Sequence, residues 1–186
     1  MSIRRRSDTS VRALFLVGFM GSGKTSVGQV LSRRLKWEFI DLDARIEARH
    51  GCAIAEIFRN HGETGFRQAE HEALLELIRE MKASSAVAAL GGGAFVQPEN
   101  LRLLEASGVP AVFLDAPVEE LWDRCRLENK QRPLAQNLNQ FRQLYERRRP
   151  LYMKAALRIE TSGKDSETIA DEIAMGLGLT YGGKEK

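Results

Sequence analysis

The segment that most constrains this chain is the glycine-rich stretch from Gly18 to Thr25, which reads GFMGSGKT. It fits the pattern G-x-x-x-x-G-K-[ST], whose backbone N–H groups surround a phosphate. In this pattern the lysine places a positive charge at the β- and γ-phosphates, and the threonine hydroxyl suits Mg²⁺. An apolar run precedes the segment and apolar residues at helical spacing follow it. We therefore expect a nucleotide-binding loop between a strand and a helix, rather than an incidental glycine-rich turn.

Short apolar runs alternate with helical patterns along the rest of the chain. Strands are predicted at residues 13–17, 38–42, 86–90, 111–114 and 156–161. Between them, helices are predicted at residues 43–50, 53–60, 63–82, 98–106, 118–126, 140–149 and 166–177, the last with Ser166 as its N-cap. This alternation predicts an α/β fold, a three-layer α/β/α sandwich around a five-stranded parallel sheet. Residues 1–10 are expected to form a flexible tail and residues 11–186 a single domain.

Composition argues against several classes of function. The net charge is only +3 and the basic residues do not alternate with aromatic residues, so a nucleic-acid partner is not expected. No apolar run approaches the length of about 20 residues that spans a membrane. Cys52 and Cys125 form neither a CxxC nor a zinc pattern, which favours a reducing, cytoplasmic location. We also expect a monomer, since no apolar element is left over after the core is assigned.

Two acidic residues, Asp41 and Asp43, follow the second predicted strand in a D-x-D spacing. Ligands of open α/β sheets bind at the carboxyl ends of the strands. Asp41 is a candidate to hold Mg²⁺ through water, and Asp43 a candidate to accept a proton from a substrate hydroxyl. The alternative is an acidic turn or helix cap, a position that aspartate also favours.

Three further stretches indicate an anionic ligand. Arg67 lies in the first turn of a helix, where the helix dipole disfavours a cation, so an anionic partner is a better explanation than a solvated side chain. Gly91, Gly92 and Gly93 follow the third strand and permit close approach of a ligand, although a flexible turn is the alternative. Residues 127–138 break the periodicity and include Arg132, which predicts a mobile lid over a nucleotide rather than a plain connector.

Taken together, the motifs GFMGSGKTSVG, FIDLD, IAEIFRNHGETGFRQAE, LGGGAF, RPL and RRPLY resemble those of the shikimate kinases. These are small P-loop kinases related in fold to the nucleoside monophosphate kinases, and the resemblance runs from about residue 13 to residue 179. It implies transfer of the γ-phosphate of ATP, with Mg²⁺, to the 3-hydroxyl of shikimate, giving shikimate 3-phosphate and ADP. It also implies a place in chorismate and aromatic amino acid biosynthesis.

The same resemblance implies roles for individual residues. Asp43 binds the shikimate hydroxyls and orients or deprotonates the nucleophile, within a substrate-binding region of about residues 43–82. Arg67 and Arg148 grip the substrate carboxylate, and Gly91 to Gly93 line the pocket through their N–H groups. Arg132 reaches the phosphates from the lid, Thr25 and Asp41 serve the metal, and the nucleotide is bound by Gly21, Ser22, Gly23, Lys24, Thr25 and Ser26.

The match to the family leaves two points open. The arginine that stacks on adenine in the family corresponds to either Arg124 or Arg126, because the spacing to the lid does not choose between them. The lid reads RPLA where the family usually has RPLL. Rival hypotheses are a gluconate-type sugar-acid kinase of the same fold and a nucleotide-binding module without catalysis, from which substrate-dependent ADP release would distinguish a shikimate kinase.

Overall fold

Five parallel strands form one sheet in the order β2-β3-β1-β4-β5 in the computed structural model, which describes residues 11–127 and 137–181. The strands are short, as the sequence predicts, and each pairs in parallel register with its neighbours. Their bounds are β1 Ala13–Val17, β2 Glu38–Asp41, β3 Ala86–Ala89, β4 Ala111–Asp115 and β5 Leu157–Glu160.

Helices connect successive strands and cover both faces of the sheet. Their bounds are α1 Lys24–Leu35, α2 Leu42–His50, α3 Ile54–Met81, α4 Pro98–Ser107, α5 Val118–Leu127, α6 Leu138–Tyr152 and α7 Ser166–Gly176, with a short 3₁₀ turn at Ala94–Val96. The alternation of side chains along each strand divides the core into two layers. Phe15 and Phe113 pack beneath α2 to α6, whereas Leu14 and Leu16 pack beneath α1 and α7. The predicted three-layer α/β/α sandwich is confirmed.

The carboxyl edge of the sheet brings together segments that are distant in sequence. Gly18 follows β1, Asp41 ends β2, Gly91 follows β3 and Asp115 ends β4. The chain first places β2 and β3 on one side of β1 and then crosses to β4 on the other side. Such a change of direction opens a crevice at the strand ends, which is where open α/β sheets bind ligands.

Two local predictions are corrected by the structure. Helix α6 does not stop at Arg149 but continues through Pro150 to Tyr152, because the missing N–H of one proline leaves the later bonds intact and Met153 N–H still donates to the Arg149 carbonyl. Asp165, not Ser166, caps α7 by accepting from the N–H of Thr168 at 2.8 Å. The two helices predicted at 53–60 and 63–82 are the two arms of α3.

The break between the arms of α3 lies at Gly62, whose φ of 67° and ψ of −176° are accessible to glycine and to few other residues. Residues 1–10, 128–136 and 182–186 are not among those described, so the predicted tail and most of the predicted lid, with Arg132, lie outside the described residues. Within the described ranges, no helix has the length and apolar character required to cross a membrane.

Helix α1 packs so closely on the sheet that a side chain at Gly28 would overlap the ring of Phe39 and crowd Leu16. We predict that Gly28→Ala lowers the free energy of unfolding by about 1 kcal/mol, because overpacking outweighs the gain in helix propensity. Gln29→Ala, on the exposed side of the same helix, is the control and should change stability by less than about 0.5 kcal/mol. Urea denaturation of both variants measures the difference, and a more stable Gly28→Ala protein would contradict close packing at this position.

Candidate active site

The glycine-rich loop folds as a concave cradle at the end of β1. Gly18, Gly21 and Gly23 all have positive φ, and a Cβ at Gly18 or Gly21 would lie 2.7 Å from a backbone carbonyl oxygen. The loop therefore needs glycine at these places. Its lysine begins α1, and the first turn of a helix leaves N–H groups without intrahelical acceptors. Such a loop is suited to bind phosphate.

Lys24 lies within this cradle. Its Nζ donates to the carbonyl oxygens of Gly18 and Phe19, each at 3.0 Å, and lies 3.4 Å from the hydroxyl of Ser22, whose side chain is buried. These contacts hold the ammonium group over the loop. Ser26 is exposed in the same first turn of α1 as Thr25.

The predicted metal residues Thr25 and Asp41 are in direct contact. The Thr25 hydroxyl donates to one carboxylate oxygen of Asp41 at 3.0 Å. The other oxygen caps α2 by accepting from the N–H groups of Asp43 and Ala44, at 3.1 and 3.3 Å. Asp41 is thus both the helix cap that its sequence context allows and a neighbour of the loop threonine. Two hard oxygen groups meet where the phosphates of a nucleotide in the loop would lie.

Three glycines after β3 are the point where the predicted substrate residues converge. The carboxylate of Asp43, from α2, lies against Gly91, and the guanidinium of Arg67, from α3, lies against Gly93. Arg148, from α6, donates from Nη1 to the carbonyl oxygen of Gly92 at 3.2 Å.

Any side chain at Gly91 or Gly93 would overlap these charged groups. These two glycines therefore allow the Asp43 carboxylate and the Arg67 guanidinium to lie against the backbone, on either side of the carbonyl that accepts from Arg148. The sequence predicted that these glycines line the pocket through their N–H groups. The structure shows two further features. The side chains of Asp43 and Arg67 approach the glycines closely, and the Gly92 carbonyl accepts from Arg148.

Glu70 is a site residue that the sequence reasoning missed. It is only 1% exposed and accepts from Nη1 of Arg67 at 2.8 Å, while Glu63 accepts from Nη2 at 3.2 Å. Burial raises the pKa of the Glu70 carboxyl to about 7, although the positive charge of Arg67 opposes the rise. The spacing of three residues between Arg67 and Glu70 on a helix was the signal that could have identified this pair.

The guanidinium of Arg67 is not fully satisfied by these two carboxylates. Among the described residues, its Nε is a buried side-chain nitrogen with no hydrogen-bond acceptor. A buried donor without an acceptor is costly, so it commonly marks a place that a ligand fills.

Arg148 is the second cation of the pocket and is more deeply buried than Arg67. The residue is 9% exposed, and its guanidinium lies over the ring of Phe19, with 6.0 Å between the guanidinium carbon and the ring centroid. Burial lowers the pKa of Arg148, and the nearby charge of Arg67 lowers it further. Tyr152, one turn later, was also missed. It donates to the same Gly92 carbonyl, and burial raises its pKa to about 12, so the hydroxyl remains protonated.

The two arginines that the sequence left open have different surroundings in the structure. Arg124 donates to the carbonyl oxygens of Gly21 and Thr161, both at 3.4 Å, and pairs with Glu120. It therefore lies between the glycine-rich loop and the segment after β5. Arg126 is exposed farther along α5. Arg124 is the arginine that this fold places beside the nucleotide loop.

Comparisons with known proteins agree with this geometry. The family model described as shikimate kinase matches residues 20–177. The shikimate kinase of Geobacter metallireducens is 43% identical over 170 residues, which cover 90% of this chain and 92% of that protein. The shikimate kinase of Persephonella marina is 37% identical over 163 residues, covering 88% of this chain and 97% of that protein.

Solved structures give the same result. The shikimate kinase from Acinetobacter baumannii in complex with shikimate is 37% identical, with a TM-score of 0.82, and the match covers 91% of this chain and 94% of that one. A gluconokinase from Sinorhizobium meliloti shares the fold at a TM-score of 0.61 with 16% identity, covering 91% of this chain and 93% of that one. The family model and the relatives cover nearly the whole chain, so the chain belongs to the shikimate kinase family.

Proposed function

We infer that the chain is an ATP-dependent kinase that phosphorylates the 3-hydroxyl of shikimate and releases shikimate 3-phosphate and ADP. The reaction belongs to chorismate and aromatic amino acid biosynthesis. The observation that carries this function is the convergence of Asp43, Arg67 and Arg148 on the glycines beside the nucleotide loop. A small acid with ring hydroxyls needs two cations for its carboxylate and one carboxylate for a hydroxyl, and this pocket offers that set.

The carboxylate of shikimate is proposed to bind between Arg67 and Arg148. Planar guanidinium groups match the geometry of a carboxylate, and the unsatisfied Nε of Arg67 offers a donor that a substrate oxygen would accept. The two cations are close enough that the charge of Arg67 lowers the pKa of Arg148, so an anion between them would be stabilised by both. We propose that Gly91 to Gly93 complete the pocket through their backbone.

Asp43 is proposed to bind the ring hydroxyls and to take the proton of the reacting one. The hydroxyl oxygen then forms a bond to the γ-phosphorus. The bond between that phosphorus and the β,γ-bridging oxygen breaks, and this oxygen leaves as part of ADP. Phosphoryl transfer depends mostly on positioning and on neutralising charge, so one oriented carboxylate is a sufficient base. The helix cap provided by Asp41 fixes the backbone of Asp43, which supports this role.

The nucleotide is proposed to occupy the glycine-rich loop. Gly21, Ser22, Gly23, Thr25 and Ser26 would contribute loop contacts and Lys24 the charge at the phosphates. Arg124 is proposed to stack on adenine, because it contacts both Gly21 and Thr161. Arg132 remains a sequence-based proposal for a residue that reaches the phosphates, within a lid of about residues 127–138.

The residues present fit Mg²⁺. Thr25 and Asp41 offer oxygen ligands at the loop, and Asp41 would act through water. Among the described residues there is no cluster of three or more His, Cys, Asp or Glu side chains that could hold a metal by itself. Phosphate oxygens and water therefore need to supply the other ligands, as is usual for Mg²⁺. When bound, the ion neutralises charge on the phosphates.

We further propose that the protein acts as a monomer in the cytoplasm, without nucleic-acid or membrane partners. Cys52 and Cys125 are not joined by a disulfide, which suits a reducing compartment. Coupled release of ADP with ATP, Mg²⁺ and either shikimate or gluconate tests the substrate. Turnover with shikimate and none with gluconate is expected. Turnover with gluconate alone would move the assignment to a sugar-acid kinase, and none with either acid would favour a non-catalytic nucleotide-binding module.

We predict that Asp43→Asn reduces kcat by at least about 100-fold, because the amide cannot accept the hydroxyl proton. Binding of ATP, measured by calorimetry, should stay within about 2-fold of wild type, since the proposed role of Asp43 is toward the acceptor hydroxyl. Glu105→Gln removes one exposed carboxylate on α4 and is the control, with unchanged kcat. Near-normal turnover by a folded Asp43→Asn protein would remove the proposed base.

We predict that Arg67→Ala raises KM for shikimate by about 10- to 100-fold, the cost of losing a charge-assisted hydrogen bond, with little effect on KM for ATP. Arg67→Lys keeps the charge but loses the fork, so KM for shikimate should rise by an intermediate factor. Arg59→Ala, an exposed arginine on the same helix, is the control. An equal increase in both KM values would place Arg67 outside the acid pocket.

Glu70 leads to a prediction about pH. Its pKa is about 7 in the folded protein, above its ordinary value of 4.5, so this group favours folding most below pH 4.5 and that contribution is lost as pH rises through 7. From pH 5 to pH 8, wild type should therefore lose on the order of 2 kcal/mol of unfolding free energy relative to Glu70→Gln. Urea denaturation of both proteins at several pH values measures this, and parallel pH profiles would show that Glu70 titrates normally.

A further inference from the structure

Asp115, at the end of β4, is a buried carboxylate outside the set of residues assigned to substrate, nucleotide or metal. It is 3% exposed. One oxygen accepts from the hydroxyl of Tyr145 at 3.1 Å and from Nε of Arg149 at 3.3 Å. The other accepts from Nη2 of Arg149 at 2.7 Å and from Nε of Arg158 at 2.9 Å. The carboxylate of Asp115 thus connects strand β4 to helix α6 and to the neighbouring strand β5.

The two donors from α6 lie one turn apart on the same side of the helix. Tyr145 and Arg149 are spaced i and i+4, so both side chains meet Asp115 together. The hydroxyl of Tyr145 also donates to the Ala116 carbonyl at 3.1 Å. Arg149 donates to both carboxylate oxygens, one through Nε and the other through Nη2. Two parallel hydrogen bonds fix the direction of the guanidinium as well as its distance from Asp115. These contacts restrict rotation of α6 about its own axis.

The arginine proposed to bind the substrate carboxylate is the neighbour of this anchored residue in the sequence. Arg148 precedes Arg149, and consecutive residues on a helix point about 100° apart. While Arg149 grips Asp115, Arg148 is therefore directed toward Gly92 and the ring of Phe19. The ring of Tyr145 also contacts Phe19, with 5.5 Å between the centroids.

We propose that Asp115 is a positioning residue for the kinase reaction, which holds Tyr145 and Arg149 so that α6 presents Arg148 to the substrate carboxylate. The proposal rests on the function inferred above, and deepens it by adding a residue that touches no substrate. A side chain that reaches about 6 Å from a helix axis moves by about 1 Å when the helix rotates by about 10°. Misplacement of that size is large enough to weaken a bidentate contact with an anion.

The effect of losing the contacts of Tyr145 and Arg149 with Asp115 can be distinguished from a loss of folding. Arg149→Met leaves Asp115 paired with Arg158 and Tyr145, so no buried charge is left unpaired. Tyr145→Phe keeps the ring on Phe19 and removes only the hydroxyl. Arg142→Met is the matched control, because Arg142 lies on the same helix in an exposed ion pair with Glu119, away from Asp115.

The test measures KM for shikimate, KM for ATP and kcat in wild type, Tyr145→Phe, Arg149→Met and Arg142→Met. We expect Arg149→Met to raise KM for shikimate about 5- to 10-fold and Tyr145→Phe about 2- to 3-fold, with KM for ATP within about 2-fold and the control unchanged. The decisive arm repeats Arg149→Met in an Arg148→Met background. There KM for shikimate should change by less than about 2-fold, because the group to be positioned is gone.

Two outcomes would overturn the proposal. Folded Tyr145→Phe and Arg149→Met proteins with wild-type KM for shikimate would show that α6 does not need this contact. An undiminished effect of Arg149→Met in the Arg148→Met background would show that Arg149 acts independently of Arg148. If Arg149→Met does not fold, Tyr145→Phe decides the question through the same ratio of KM values. Failure of the proposed function is distinct, since wild type itself would then not turn over shikimate.

Discussion

The active site depends on the absence of side chains at Gly91 and Gly93, two of the three glycines that follow β3. This backbone segment lies between helices that carry charge from three directions, and any Cβ at Gly91 or Gly93 would displace the carboxylate or the guanidinium that approaches it. The carbonyl of Gly92 meanwhile accepts from Arg148 and Tyr152. One short turn therefore sets the distance between the acidic and the basic parts of the pocket, and parallel pairing of β3 with β1 sets its distance from the nucleotide loop.

The charged side chains of this pocket are largely removed from water, and their hydrogen bonds within the protein offset only part of the desolvation free energy. Arg67 and Arg148 are both largely withdrawn from water, and Glu70 is the buried anion beside them. Because burial raises the pKa of Glu70 to about 7, its negative charge is incomplete near neutral pH, so this carboxylate neutralises Arg67 only in part. The carboxylate of a bound substrate would add negative charge beside Arg67, where Glu70 is only partly ionised and therefore competes weakly for the guanidinium. This balance favours an anionic substrate over a neutral sugar of similar size.

Sequence reasoning predicted the strands and the residues whose chemistry is visible in local motifs. Asp43, Arg67 and Arg148 were identified because they stand in recognisable patterns, and the structure brings them to one place. Buried polar partners were missed, because a carboxylate such as Asp115 looks like any strand-ending acid until the donors from a distant helix are known. The choice between Arg124 and its neighbour likewise depended on which side of α5 faces the loop, a property of packing rather than of spacing.

A gluconokinase shares the architecture of nearly the whole chain at 16% identity, so the fold alone does not determine the acceptor. We propose that the choice of acceptor depends on the helices that carry Asp43 and Arg67, which are α2 and α3. Surface ion pairs join these two helices, from Arg45 to Glu80 at 2.5 Å and from Arg49 to Glu76 at 2.9 Å. Exposed pairs contribute little stability individually, but along two packed helices they oppose sliding. The proposed base, Asp43, and the arginine proposed to bind the substrate carboxylate, Arg67, thereby keep a constant spacing.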